Sequence, residues 1–230
     1  MKYDNIVVCT FGKGTFIESQ KKLKENLISL GIKNQVNFTD NDLPDEFKTE
    51  HKELFKRIKG YGYYIWKPFL ISKILKTLDN DKILIYIDST DKPSINFFNF
   101  VINHFDSDDN LFINRGYNHG QWTKRDCFYY MNCDNNEYYN KVQLEAGIIG
   151  MKNTNQNLEI LSEWYEWMKN PNILTDDANI CGLPNLPNFM EHRHDQSILT
   201  NMIIEKNIKN YFLSKDYLLY NYYQPRHYTI

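Results

Sequence analysis

The sequence predicts a single α/β domain with a mixed, mainly parallel sheet flanked by helices, and three observations carry this. Apolar, β-branched runs such as residues 5–10 (NIVVCT) and 82–88 (KILIYID) are short and end at a loop or an acid, as buried strands do. Stretches with helical spacing separate them, the first over residues 16–30. Strands alternating with helices build layered sheets, and 230 residues fit one domain without internal repeats or low-complexity tracts.

In order along the chain, residues 5–10 enter a loop at Phe11 and Gly12. A helix over 16–30 offers Ile17, Leu23, Leu27 and Leu30 to one face and closes at Gly31. Residues 35–38 read as a second strand, and 45–59 as a helix stopped by Gly60 and Gly62. Pro68 marks the next helix start, continued over 69–78. The strand 82–88 follows, then a helix over 94–105 and strands over 111–114 and 144–151. A helix rich in aromatics spans 158–168, and 170–188, with Pro171, Pro184 and Pro187, reads as a long ordered loop. A helix over 194–204 and a last strand over 208–213 complete the pattern.

Composition narrows the function. A net charge of −2 argues against a nucleic-acid binder relying on a basic face, because phosphate neutralisation needs clustered Lys and Arg. Lys21, Lys22 and Lys24 read as the wet side of an amphipathic helix. Cys9, Cys127, Cys133 and Cys181 show no C-x-x-C spacing, which points to reduced thiols in a cytoplasm-like compartment. The first residues lack a signal-peptide apolar region, and no run approaches the ~20 apolar residues that span a bilayer. A cytoplasmic protein, or one of a host cytoplasm if viral, is expected.

In open α/β sheets ligands bind at the carboxyl ends of the strands, which directs attention to Thr10, Asp88, Asn114 and Met151. Asp88, with Ser89, Thr90 and Asp91 after it, offers hard oxygen ligands for a divalent cation, although Ser, Thr and Asp also simply form turns. The run GYGYYIWKP (60–68) combines flexible glycines, stacking surfaces in Tyr63 and Trp66, and Lys67 at a helix start where anions gather. Its bland alternative is an aromatic cluster gluing a loop to the core. Glu145 stands beside Ala146 and Gly147, small residues that admit a ligand or simply pack tightly. Glu191, His192, Arg193, His194 and Asp195 crowd five ionisable groups before a helix that needs only one cap. The His-x-His spacing hints at a zinc hydrolase, but the further Asp-His pair of the binuclear pattern is absent after Asp195. Arg125 can clamp a phosphate, and His227 can fold back as a metal ligand or be an ordinary packed side chain.

The stretches GYGYYIWKP (60–68), ILIYIDST (83–90), WTKRD (122–126), QLEAGIIGMKNT (143–154) and HRHDQS (192–197) together resemble a family of small GT-A glycosyltransferases of capsule and polysaccharide gene sets and large DNA viruses. The resemblance spans residues 60–204. It implies a Rossmann-like sheet holding a nucleotide-sugar, commonly a UDP-sugar, with Mn2+ or Mg2+, and transfer to a glycan or other hydroxyl acceptor. Asp88 matches the first acid of the family's Asp-x-Asp motif; Thr90 stands where the second is expected, and the next acid is Asp91. That departure shifts weight to Asp88 and to His227, since related enzymes complete the metal site with a C-terminal histidine. Thr10 and Phe11 would lie against the base. Tyr63, Trp66, Lys67, Ser89, Thr90, Arg125, Gln143 and His194 would contact the donor. Asp195, with Glu145, would act at the donor sugar, where a carboxylate stabilises an oxocarbenium-like state. The HDQS segment favours retention of anomeric configuration. Two competing readings are a metal-dependent hydrolase of phosphate or sugar substrates, which needs no acceptor, and a non-catalytic carbohydrate-binding domain, which ignores metal and nucleotide.

Overall fold

Alternation along the strands assigns the layers. In β3 (Ile83–Ile87), Ile83, Ile85 and Ile87 enter one core and Leu84 and Tyr86 the other. In β1 (Ile6–Phe11), Ile6 and Val8 oppose Val7 and Cys9 in the same way. The period of two places apolar side chains on both faces, so both must be covered. The computed structural model describes residues 2–213 and Tyr217.

The remaining elements, in chain order, are α1 (Phe16–Ser29), β2 (Asn34–Phe38), α2 (Asp45–Glu50), α3 (Lys52–Phe55), α4 (Gly60–Tyr63) and α5 (Trp66–Leu75). After β3 come α6 (Ile95–Phe105), β4 (Asn110–Asn118), α7 (Arg125–Tyr130), α8 (Asn136–Tyr139) and β5 (Val142–Lys152). The chain continues with α9 (Asn155–Met168), α10 (Pro171–Leu174), α11 (His194–Glu205) and β6 (Tyr211–Phe212). Leu23 and Leu27 of α1 and Phe97, Phe98, Val101 and Phe105 of α6 fill one core. Helices α5, α9 and α11 fill the other with Leu70, Ile71, Leu161, Trp164, Ile198 and Met202.

The six strands run in the order β2-β1-β3-β5-β4-β6. Pairs β1–β2, β1–β3 and β4–β6 are parallel; β5 runs antiparallel to both its neighbours. The sheet is therefore mixed, and one expectation is corrected. Met151 ends a strand that runs backwards, so it pairs with Leu84 and Asn110 and lies away from the carboxyl ends of β1 and β3. The same reversal carries the earlier part of β5 to the end of β3, where Asp88 N–H donates to Gly147 O at 2.8 Å.

Several boundaries shift for local reasons. The single helix expected over 45–59 breaks at His51 (φ −104°, ψ 22°) into α2 and α3. Ile17 leaves the buried face of α1, where Gln20 joins Leu23 and Leu27, and Leu30, just past the helix end, packs against the same core partly buried. The loop over 170–188 includes α10, with Pro171 at its start and the Asn170 side chain as cap. Both α7 and α8 lie in a stretch without clear helical periodicity.

Candidate active site

The site is built where β3 and β5 end side by side. After Asp88 the chain reverses in a β-turn, Asp91 N–H donating to Asp88 O at 2.9 Å. Ser89 and Thr90 are its central residues, Ser89 buried and Thr90 exposed, and the turn folds Asp91 back beside Asp88. Both carboxylates then meet over Gly147 of β5. A Cβ on that glycine would lie 3.0 Å from Asp88 Oδ2 and 3.3 Å from Asp91 Oδ2. The missing side chain thus leaves a cradle with two hard oxygen ligands, which suits Mg2+ or Mn2+ completed by phosphate oxygens. Among the described residues no three His, Cys, Asp or Glu side chains cluster with metal-binding geometry. Thr90 is on the outside of the turn, and His227 lies outside the described residues.

Behind the cradle stands Lys67, buried in α5. Its Nζ lies 2.7 Å from Asp195 Oδ2 and 3.6 Å from Asp88 Oδ1, and it donates to Ala146 O at 3.0 Å. Lys67 does stand at a helix start, as the second residue of α5, but its side chain is buried and turns inward to two carboxylates. Asp195, in the first turn of α11, is 3% exposed, and burial raises its pKa above the usual carboxylate value against the lowering pull of Lys67. Tyr86 donates its hydroxyl to Asp88 Oδ1 at 2.7 Å, while Gln196 Oε1 accepts from Ala146 N–H at 3.2 Å and ties α11 to β5. Trp164 Nε1–H donates to Asp195 O at 3.0 Å, fixing the start of α11 from below.

The run 60–64 closes the cleft in an unusual conformation. Gly60, Tyr61, Gly62, Tyr63 and Tyr64 all have positive φ, from 47° to 78°. Left-handed backbone costs roughly 1–2 kcal/mol for each residue other than glycine, so three tyrosines hold appreciable strain here. Helical hydrogen bonds close nonetheless, Tyr63 N to Lys59 O at 3.0 Å and Tyr64 N to Gly60 O at 3.1 Å. Trp66 Nε1–H also donates to Gly60 O, at 3.2 Å. Ion pairs across the cleft mouth brace the turn: Arg57 to Asp177 at 3.3 Å, and Lys59 to Asp176 at 3.0 Å and Glu191 at 3.1 Å.

The anticipated residues distribute unevenly. Lys67, Asp88, Glu145, His194 and Asp195 line the cleft together. Glu145 has Arg115 Nε at 3.7 Å. Thr10 and Phe11 are buried, and the Phe11 ring packs on Trp66 with centroids 3.9 Å apart. Tyr63 is buried against His194 at 4.7 Å, so of this run it is Tyr64 that reaches the cleft wall. Gln143 lies inside the protein, its amide donating to Ser197 Oγ at 3.2 Å within a network through Thr123 and His119. Arg125 meets Asp134 at 2.6 Å and is not among the cleft-lining residues. Lys59, Tyr64, Glu191, Arg193 and Gln196 also line the cleft, although sequence reading assigned them no individual role.

No family model matches the sequence, and no curated protein does. Two solved structures have a similar backbone course. One is a glycosyltransferase involved in the glycosylation of the major capsid of PBCV-1, 11% identical, covering 91% of this chain and 82% of that chain with a TM-score of 0.49. The other is mouse xyloside xylosyltransferase 1 in its apo form, 12% identical, covering 91% of this chain and 85% of that chain with a TM-score of 0.48.

Proposed function

We propose that the chain is a metal-dependent glycosyltransferase of the GT-A type, moving a sugar from a nucleotide-sugar, by family habit a UDP-sugar, to a glycan or other hydroxyl acceptor. The convergence of Asp88 and Asp91 over Gly147, directly in front of the buried Lys67–Asp195 pair, carries this reading. Asp88 and Asp91 would hold Mn2+ or Mg2+, which when bound neutralises charge on a departing nucleoside diphosphate. The chain's own groups do the rest. Tyr86 and Lys67 fix the Asp88 carboxylate from behind, leaving Oδ2 toward the cradle. Asp195 faces the donor sugar and supports positive charge at its anomeric carbon, in a site where burial strengthens electrostatics. Glu145, on the cleft wall, accepts from sugar hydroxyls. Retention of configuration is the proposed outcome, and the anomeric form of the first product reads it directly. Free, buried Cys9, Cys127 and Cys133 suit the reducing compartment proposed for it.

The decisive test is a thermal-shift screen against UDP-, GDP-, dTDP- and CMP-sugars, each with and without Mn2+. A ligand that binds only the native state stabilises it by RT ln(1 + [L]/Kd), and the melting temperature rises accordingly. The expected result is a metal-dependent shift with one nucleotide class, lost in Asp88→Ala while that variant melts cooperatively. Turnover of the nucleotide-sugar without any acceptor would favour the hydrolase. Absence of every nucleotide-dependent shift would sink the transferase.

A further inference from the structure

Residues 175–193 join α10 to α11 without helix or strand, yet the protein holds them firmly. Asp126 accepts from Ile180 N–H and Cys181 N–H, Lys124 donates to Asp177 O, and Met190 N–H donates to Gln121 O at 2.8 Å. Irregular loops longer than about 12–15 residues are uncommon in compact domains, and an ordered one usually carries function. Together with Lys124, this loop lines a cavity of about 280 Å³, at the small end of ligand pockets.

The cavity wall offers amide hydrogens. Arg125 N–H donates to Asn185 Oδ1 at 2.8 Å, and Asp126 N–H to Asn179 Oδ1 at 3.1 Å. A backbone N–H only donates, so each side-chain oxygen is fixed there and the NH2 group is the end left over. Asn179 spends one hydrogen on Asn185 Oδ1 at 2.8 Å, which among the described residues leaves one on Asn179 and both on Asn185. Phe189 and Met190 add apolar surface, and Met190 is 64% exposed. Asp176, Asp177 and Glu191 complete the wall, and each already meets a cation: Lys59 for Asp176, Arg57 for Asp177, and both Lys59 and Arg193 for Glu191. Charge is thus balanced, and neither an anion nor a further cation is drawn in. Amide donors, acidic acceptors and an apolar face suit a neutral molecule with both hydroxyls and C–H faces, which describes a sugar ring.

The cavity adjoins the cleft. Glu191 lines both, and the His192 ring on the cavity side packs 5.0 Å from the His194 ring on the cleft side, one residue before Asp195. We propose that the cavity is the acceptor subsite, seating one neutral sugar ring with hydroxyl oxygens on the Asn179 and Asn185 amides and a C–H face on Phe189 and Met190. This rests on the transferase reading and adds the acceptor's chemical class and position to it.

The test is side-chain amide 15N NMR on the full chain, with the Asn185 pair assigned from its loss in Asn185→Asp. That substitution keeps an oxygen for Arg125 N–H and removes both free donors. Met190→Ala is the second variant, since it trims a mostly exposed side chain. Methyl glycosides of glucose, galactose, mannose and xylose are titrated without nucleotide, and the nucleotide-sugars of the thermal screen with Mn2+. A saturable shift of the Asn185 amide with a glycoside is expected. Affinity should fall tenfold or more in Asn185→Asp, read there through Asn179, and severalfold in Met190→Ala. If a nucleotide-sugar stabilises the protein and no glycoside moves Asn185, the subsite falls while the transferase stands. If a glycoside moves Asn185 and no nucleotide-sugar binds, the transferase and the acceptor role fall together while the sugar site stands. A shift caused by the nucleotide-sugar alone gives the cavity to the donor and overturns the assignment. Affinity indifferent to both substitutions places the sugar elsewhere and overturns it equally.

Discussion

Lys124 with Asp126, beside α7, and Lys67 with Asp195, at the cleft, are both buried lysine–aspartate pairs, separated by 3.8 and 2.7 Å. Their partners differ. Asp126 accepts from Ile180 N–H at 2.9 Å and Cys181 N–H at 3.0 Å, and Lys124 donates to Asp177 O at 2.7 Å. Every strong bond of that pair goes to the loop backbone over 175–181, so the two residues staple the loop. Lys67 instead serves two carboxylates and also donates to the backbone at Ala146 O. The same residue types therefore staple a loop in one place and, in the proposed transferase, sit beside the reacting sugar in the other. The distinguishing signal is whether backbone amides absorb the charge.

Double-mutant cycles can break this contrast. Asp126→Ala removes a buried acceptor from two amides and should cost about 3–5 kcal/mol, lowering the melting temperature by roughly 10 °C. Adding Lys124→Met should give near-additive losses, because each partner is tied to a different backbone group. Lys67→Met should cost a similar ~3–5 kcal/mol, since it strands two carboxylates. Adding Asp195→Asn to it should recover about 1–3 kcal/mol, because the stranded charge is then gone. Strong coupling at the first pair and none at the second, measured by denaturant melts, would reverse the assignment of roles.

A smaller effect is expected from Gly147→Ala. The glycine does not occupy the left-handed region, so the backbone accepts alanine, but the new methyl sits where Asp88 and Asp91 converge. The fold should survive. Affinity for the nucleotide-sugar in the presence of Mn2+ should drop about tenfold, or ~1.4 kcal/mol, with binding in its absence unchanged. Equal losses with and without metal in isothermal titration would mean that the cradle holds no cation.

The sequence exposes the parts of this site that are local. An apolar strand ending in Asp88 and a crowded helix start at Asp195 both stand out by periodicity and composition. The β-turn brings Asp91 back beside Asp88: the chain reverses over two residues and sets the two carboxylates over one glycine. What escapes sequence reading is non-local. The direction of β5 depends on its neighbours, and only that reversal brings Gly147 to Asp88. Lys59 reaches Asp176 and Glu191 across 117 and 132 residues, and nothing in either segment advertises the other. The left-handed run over 60–64 is hidden for a different reason. Two of its residues are glycines, but three are tyrosines whose intrinsic preference is the opposite, and tertiary bracing overrides it.

The smallest expected effect concerns the charge on Asp195. Its folded-state pKa is raised, chiefly by burial, so the native protein binds this proton more tightly than the unfolded chain does. Stability from that proton is present below the ordinary carboxylate pKa and is lost as pH rises through the raised native value. Asparagine cannot ionise and carries no such slope. Asp195→Asn should therefore gain on the wild type as pH increases across that interval, by at most ~1.4 kcal/mol for each pH unit, and the difference should level off above it. Sugar transfer should meanwhile be lost with metal-dependent nucleotide binding retained. A difference in melting temperature that stays flat with pH would mean that Lys67 compensates the carboxylate fully, and Asp195 would then resemble Asp126 in being a structural anchor.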